Sequence, residues 1–279
     1  MSLKKILRKN FHTMIIAAFI IILLSITLYS GNWPPISVVE SSSMEHSSYF
    51  QCGTIQTGSI VIVKKVSSPT GITTYVQGRT TGMKTYGDFG DVLLYRNYAG
   101  SIIIHRAIFF LTWNSGIPDV HGYTNQSWIT VSVNYVIIQN VGVSHRNLYV
   151  NISHFSGVSG YITMGDNNLI ASAISESVHI RNRTITAYVA ADQNILFQNN
   201  GATYSPVNFT DVVGIARGNL PLVGLYRLYL LGVFGMWNGY DQVPIYSNYY
   251  LSALTAFIIF APVSYELLRR KKSVKNSKS

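Results

Sequence analysis

Two apolar runs, each bordered by a block of positive charge, constrain this chain more than any other feature. FHTMIIAAFIIILLSITLYS, residues 11–30, contains no Asp, Glu, Lys or Arg. As a helix it would be about 30 Å long at 1.5 Å per residue, the thickness of a bilayer's hydrocarbon core. It is longer than the apolar region of a cleaved signal peptide and ends in Leu28-Tyr29-Ser30 rather than a small-x-small cleavage site, so it reads as an uncleaved signal anchor. The second run, NYYLSALTAFIIFAPVSYELL at 248–268, opens on tyrosines suited to a membrane interface and tolerates Pro262 in its interior. It stops at Arg269-Arg270-Lys271-Lys272, a basic flank that argues against a buried core helix. The positive-inside rule then makes residues 1–10 and 269–279 cytosolic tails of a plasma-membrane protein with two spans. Residues 31–247 lie outside.

Charge points the same way. The formal net charge is +10, a value that could suggest a nucleic-acid partner. The excess, however, sits entirely in the tails: Lys4, Lys5, Arg8 and Lys9 at one end, and Arg269, Arg270, Lys271, Lys272, Lys275 and Lys278 at the other. The body between them is balanced and offers no basic stripe for phosphates, so nucleic acid is excluded as the expected partner. The sequons at Asn125, Asn151, Asn182 and Asn208 all fall in the exterior segment. Cys52 is the single cysteine, which forbids an intramolecular disulfide and reads as a buried small apolar residue.

The exterior segment reads as β. SIVIVKKV (59–66), DVLLYRN (91–97), SIIIHRAIFFLTW (101–113), WITVSVNYVIIQNV (128–141), NLYVNIS (147–153) and VHIRNRTITAYVAA (178–191) are rich in β-branched and aromatic residues, and clusters of Gly, Asn, Ser and Pro separate them. No helical period is sustained between residue 31 and about residue 218. The run LPLVGLYRLYLLGVFGMW, 220–237, is interrupted by Arg227. It reads as a membrane-proximal segment lying at the interface rather than a third span.

Against this background four separated motifs, in order, resemble those of a type I signal peptidase of the archaeal and endoplasmic-reticulum type. Ser41-Ser42-Ser43-Met44-Glu45 resembles the family's Ser-Gly-Ser-Met-Glu-Pro box. GDVLLYR (90–96) with IIIHRAI (102–108) resembles its Gly-Asp-Val strand and Ile-Ile-His-Arg box. MGDNN (164–168) resembles the Gly-Asp-Asn-Asn box, and DVVGIARGNLPLVG (211–224) resembles the segment before the closing strand. The resemblance implies an extracytosolic, mainly β, signal-peptidase-like fold flanked by the two transmembrane helices. It also implies a serine endopeptidase that removes signal peptides from preproteins, working at the bilayer and near the export translocon, with no metal or organic cofactor. Ser43 matches the nucleophile, His105 the general base, Ser41 the serine whose hydroxyl joins the Ser43 N–H in the oxyanion hole, and Met44 the residue that orients the active-site loop. A serine hydroxyl needs such a base and such donors near neutral pH. His46 is the competing base, because it is close to Ser43 in sequence.

The sequence departs from the pattern at several places. His46 stands where proline is usual. The stretch from His105 to Asp166 is longer than in compact relatives, which predicts an extra β cap over about 114–160. Relatives carry a second aspartate six residues beyond the first of the Gly-Asp-Asn-Asn box, assigned to the catalytic triad, and that position here is Ser172. Asp166 therefore becomes the expected partner of His105, with Ser172, Glu176, Asp192 and Asp211 as alternates for the third member. Two other readings stay open at this point. One is a catalytically inactive member of the same family, and the other is a cell-surface adhesin or binding protein with a β-sandwich ectodomain.

Overall fold

The computed structural model describes residues 11–276 apart from 124, 181 and 195–204. The tail residues Lys4, Lys5, Arg8, Lys9 and Lys278 lie outside the described residues. The chain is a mixed α/β fold built on several antiparallel sheets, rather than the mainly β fold expected. Its short helices escape a periodicity reading because none gives an apolar stripe time to repeat. Helix α2 (Tyr75–Thr81) is instead set by its ends: the Thr74 side chain and Gln77 form a capping box, and Gly82 closes the other end at φ +82°.

Helix α1 (Phe11–Ser30) is the apolar amino-terminal run, and its side chains are largely exposed. Residues 31–35 lead from it to the first strand, but its last turn is itself bonded to the sheet. The Ser30 hydroxyl donates to the Val63 carbonyl (2.5 Å), and the Ser30 carbonyl accepts the Lys65 N–H (2.8 Å). The Lys64 ammonium donates to the Tyr29 carbonyl and lies 4.6 Å from the Tyr29 ring centroid. Among the described residues α1 alone is long and apolar enough to cross a membrane. Helix α5 (Ser247–Asn276) contains the second apolar run, but among the described residues it does not reach that standard.

The main sheet has the order β1 (Ile36–Val38), β2 (Ile60–Lys64), β14 (Val212–Leu220), β5 (Val92–Arg96), β6 (Ile102–Asn114), β11 (Gly160–Met164), with β7 (Ile117–Asp119) beside the far end of β6. Every pair is antiparallel. The run Val92-Leu93-Leu94-Tyr95 is buried throughout because both faces of this sheet are covered. Val92 and Leu94 pack with Met44, Ile55 and Val61, while Leu93 and Tyr95 pack with Ala107, Tyr161 and Ile215. A small ladder of β3 (Lys84–Thr85) and β4 (Asp88–Phe89) lies beside α2.

The cap is a second sheet, ordered β12 (Ser175–Ile180), β13 (Arg183–Val189), β10 (Arg146–Asn151), β9 (Tyr135–Val141), β8 (Ile129–Val131). It is thus larger than the 114–160 segment expected, since a hairpin from beyond residue 170 completes it. Val136, Ile138, Leu148 and Val150 of the cap share the largest core cluster with Ile108, Phe109, Leu111 and Met164 of the main sheet, which fixes the cap to the scaffold. Two further expectations concern single segments. Cys52 is exposed rather than buried, because its loop runs over the surface. The 220–237 run forms α4 (Leu225–Val233), with Leu225 and Leu228 buried and Leu230, Val233, Phe234 and Met236 exposed.

Candidate active site

The segment after β1 is extended at Ser41 and then tightens into a 3-10 turn, Ser42–Met44. Three attachments hold the turn. Met44 is 1% exposed and packs with Val39, Ile55, Val61 and Leu94. The Glu45 carboxylate accepts hydrogen bonds from the Thr57 N–H (3.0 Å) and hydroxyl (2.8 Å). The Ser42 N–H donates to Gln242 Oε1 (3.1 Å). Burial pushes the Glu45 carboxyl above its ordinary pKa, and the two Thr57 bonds offset part of that rise.

Strand β6 brings His105 to this turn. His105 Nε2 lies 2.9 Å from Ser43 Oγ, and Nδ1 lies 2.7 Å from Asp192 Oδ2. Asp192 opens a 3-10 turn just after β13. The same carboxylate oxygen accepts the Tyr95 hydroxyl (2.9 Å) and the Thr163 hydroxyl (2.7 Å). Gln193 fixes Thr163 in turn, accepting its N–H (3.0 Å) and donating to its Oγ1 (3.2 Å). An ionised carboxylate only accepts, so His105 Nδ1 must carry the hydrogen, and Nε2 is left as the acceptor facing Ser43. Ser41 Oγ is 3.3 Å from Ser43 Oγ, within reach of an oxyanion forming there.

Asp166 does not meet His105, contrary to expectation. It opens α3 (Asp166–Ala171), and Arg106 grips both its oxygens, Nε to Oδ1 at 2.7 Å and Nη2 to Oδ2 at 2.6 Å. His46 Nε2 approaches Oδ2 at 2.8 Å, so the competing base is engaged here rather than at Ser43. Burial alone would push the Asp166 carboxyl up, but the Arg106 charge and the bonds from Arg106 and His46 outweigh it and hold the pKa down to about 2. Arg106 is itself 1% exposed, and its Nη1 also donates to the carbonyls of Thr85, Phe89 and Gly90 at 3.1 Å each.

The alternates separate as clearly. Ser172 ends α3 and donates its hydroxyl to the Val189 carbonyl (2.6 Å). Glu176 is exposed on β12, and Asp211 lies on the exposed 3-10 turn before β14. Only Asp192 reaches the imidazole. The β12–β13 hairpin lies between Ser172 and Asp192: the chain leaves after Ser172 and returns beside that point, with Ser175 opposite Tyr188. Tyr95, Thr163, Gln193 and Gly165 were not singled out from sequence. For Gly165 the box itself was the available signal. A Cβ on it would stand 2.5 Å from the Ser43 carbonyl oxygen and 3.0 Å from His105 Nε2, so only glycine lets α3 approach the pair.

A cleft of about 390 Å³ opens beside Ser43. Its walls are β1 with the stretch to Ser41 on one side, and Ser101, Ile102 and Ile104 on the other. Strand β11 pairs with β6 only from Arg106 onward, so among the described residues the β6 edge at Ile102–Ile104 is open on the side away from β5. No protein-family model matches this chain, and no curated protein is significantly similar to it in sequence.

Proposed function

We propose that this protein is a membrane-anchored serine endopeptidase that cleaves signal peptides from exported preproteins, with Ser43 as nucleophile, His105 as general base and Asp192 as the residue that orients and charge-stabilises the imidazole. The observation that carries the reading is the continuous hydrogen-bonded line Ser43 Oγ, His105 Nε2, His105 Nδ1, Asp192 Oδ2. It joins residues from three distant parts of the chain in the order that acyl transfer needs.

In this mechanism a substrate segment adds as a strand to the open β6 edge, with its scissile carbonyl over Ser43. Ser43 Oγ attacks the carbonyl carbon as its proton passes to His105 Nε2. The negative oxygen of the tetrahedral intermediate takes a hydrogen bond from the Ser41 hydroxyl, and Asp192 holds the imidazolium. Collapse breaks the C–N bond as His105 Nε2 gives its proton to the leaving amine. Water, deprotonated by His105, then releases the acyl group and restores Ser43. Ile102, Ile104 and Val38 narrow the cleft beside the nucleophile, which suits small side chains in the residues before the cleaved bond.

The topology follows the same proposal: α1 as anchor, α5 as a second span, both tails cytosolic, and the sheets outside the plasma membrane. The exposed apolar face of α4 supports a site close to the lipid surface. The test is cleavage of a presecretory protein by purified full-length protein in detergent micelles. Ser43→Ala and His105→Ala should each abolish the mature product. A wild-type rate in Ser43→Ala would end the proposal.

A further inference from the structure

The turn that carries Ser43 borders two hollows. Besides the cleft beside β6 there is a larger one of about 610 Å³, bordered by Ser42 and His46 of the catalytic loop, Asn167 and Ile170 of α3, and Asp241 and Gln242 of the segment leading to α5. That segment is bound to the catalytic loop itself. The Ile245 N–H donates to the Ser48 carbonyl (2.8 Å), the Phe50 N–H to the Ile245 carbonyl (3.1 Å), and Gln242 takes the Ser42 N–H. Gly165, just before α3, has the bare Cα that permits contact with both Ser43 and His105.

A chain whose acyl side lies along β6 must continue past the nucleophile, and the second hollow, bordered by Ser42 next to it in the chain and by Asn167 and Ile170, is the space on offer. We infer that the second hollow binds the residues that follow the scissile bond, the start of the mature protein, and that it favours basic or uncharged side chains there over acidic ones. Its border carries the carboxylates of Asp241 and Glu45 and, among the described residues, no Lys or Arg. Glu45 is bound to Thr57 and His46 to Asp166, which leaves the exposed Asp241 as the charge that a substrate meets. The inference rests on the peptidase reading and adds a substrate preference to it.

The experiment uses two labelled peptides that span a cleavage site and differ only in carrying Lys or Asp at the second and third positions after the scissile bond. Binding to full-length Ser43→Ala protein is read by fluorescence anisotropy, and kcat/KM is read with otherwise wild-type protein. The Lys peptide should be favoured about threefold, the size expected of an exposed charge pair. The preference should shrink in high salt. Asp241→Asn should abolish it and Asp241→Lys should invert it; each variant is read as a ratio of two substrates, so a general loss of activity cancels. An unchanged Lys-to-Asp ratio in both variants overturns the inference. Absence of binding by both peptides overturns it together with the peptidase reading, whereas charge-dependent binding without cleavage by wild-type protein overturns the peptidase reading and leaves of the inference only the charge preference of the hollow.

Discussion

Replacing Asp192 by asparagine separates its charge from its shape. Three donors converge on Oδ2, from His105, Tyr95 and Thr163. They will seat the asparagine's amide oxygen, not its NH2, at that point, so His105 keeps its hydrogen on Nδ1 and its lone pair toward Ser43. What is lost is the attraction between carboxylate and imidazolium. At about 4 Å and an effective dielectric of about 20 that attraction is about 4 kcal/mol, and part of it is retained by the neutral hydrogen bond. A net loss of about 2–4 kcal/mol corresponds to a fall in kcat of roughly 30-fold to 10³-fold. This is less than the roughly 10⁴-fold loss expected where an asparagine forces the wrong tautomer. Asp192→Ala, in contrast, leaves the Tyr95 and Thr163 hydroxyls and the imidazole N–H without an acceptor in a buried place, at about 1–3 kcal/mol for each group. It should cost both activity and stability. The assay is steady-state cleavage of a presecretory substrate, paired with thermal unfolding of the same preparations. Retention of more than half the wild-type kcat by Asp192→Asn, with His105→Ala inactive, would refute Asp192 as the orienting residue.

Gly165→Ala should fold yet lose roughly 10²-fold or more in kcat, because the added methyl must displace the Ser43 turn or the His105 ring by a fraction of an ångström to an ångström. Near-wild-type turnover would show that α3 can withdraw without disturbing the pair. Asp166, held down to about 2 from its usual 3.8, contributes about 2 kcal/mol of stability that is complete above about pH 4 and is lost as pH falls through about 2. The stability gap between wild type and Asp166→Asn, measured by denaturant titration, should therefore narrow by about that amount across this range. A constant gap would contradict the Arg106–Asp166 coupling.

How much of this could be read in the sequence depended on whether distance along the chain stood for distance in space. Strands β2, β5 and β6 of the main sheet were legible because they are continuous β-branched and apolar runs, as a sheet covered on both faces requires, whereas the short β1, β7 and β11 carry too few such residues to stand out. Ser43 and His105 lie in boxes whose local shape carries them, a tight turn pinned by Met44 and the end of an open-edged strand. Asp192 was legible only as one acid among several, since a hairpin stands between it and α3. That hairpin changes the count of residues while its paired ends keep the geometry, and Ser172, at the expected position, is left to bind Val189. Asp166 misled for the opposite reason. A carboxylate inside the matched box is spatially close to the site, but Arg106, the neighbour of His105 on β6, takes both its oxygens. The cap's outline was incomplete because its strands come from two separated segments, and one of its pairings, β10 with β13, is parallel and leaves no local turn signal.

The junction of α1 with the sheet has a mechanical consequence. The last turn of the helix is bonded to β2 through Ser30, Val63 and Lys65, with Lys64 over Tyr29, so there is no swivel between anchor and scaffold. With α1 in a bilayer as proposed, any tilt of the helix is passed to the sheets as a rigid lever. Helices tilt to match the thickness of the lipid around them. The height and facing of Ser43 above the membrane would then be set by bilayer thickness, and membranes of different lipid length would present the same catalytic residues to the same substrates at different levels.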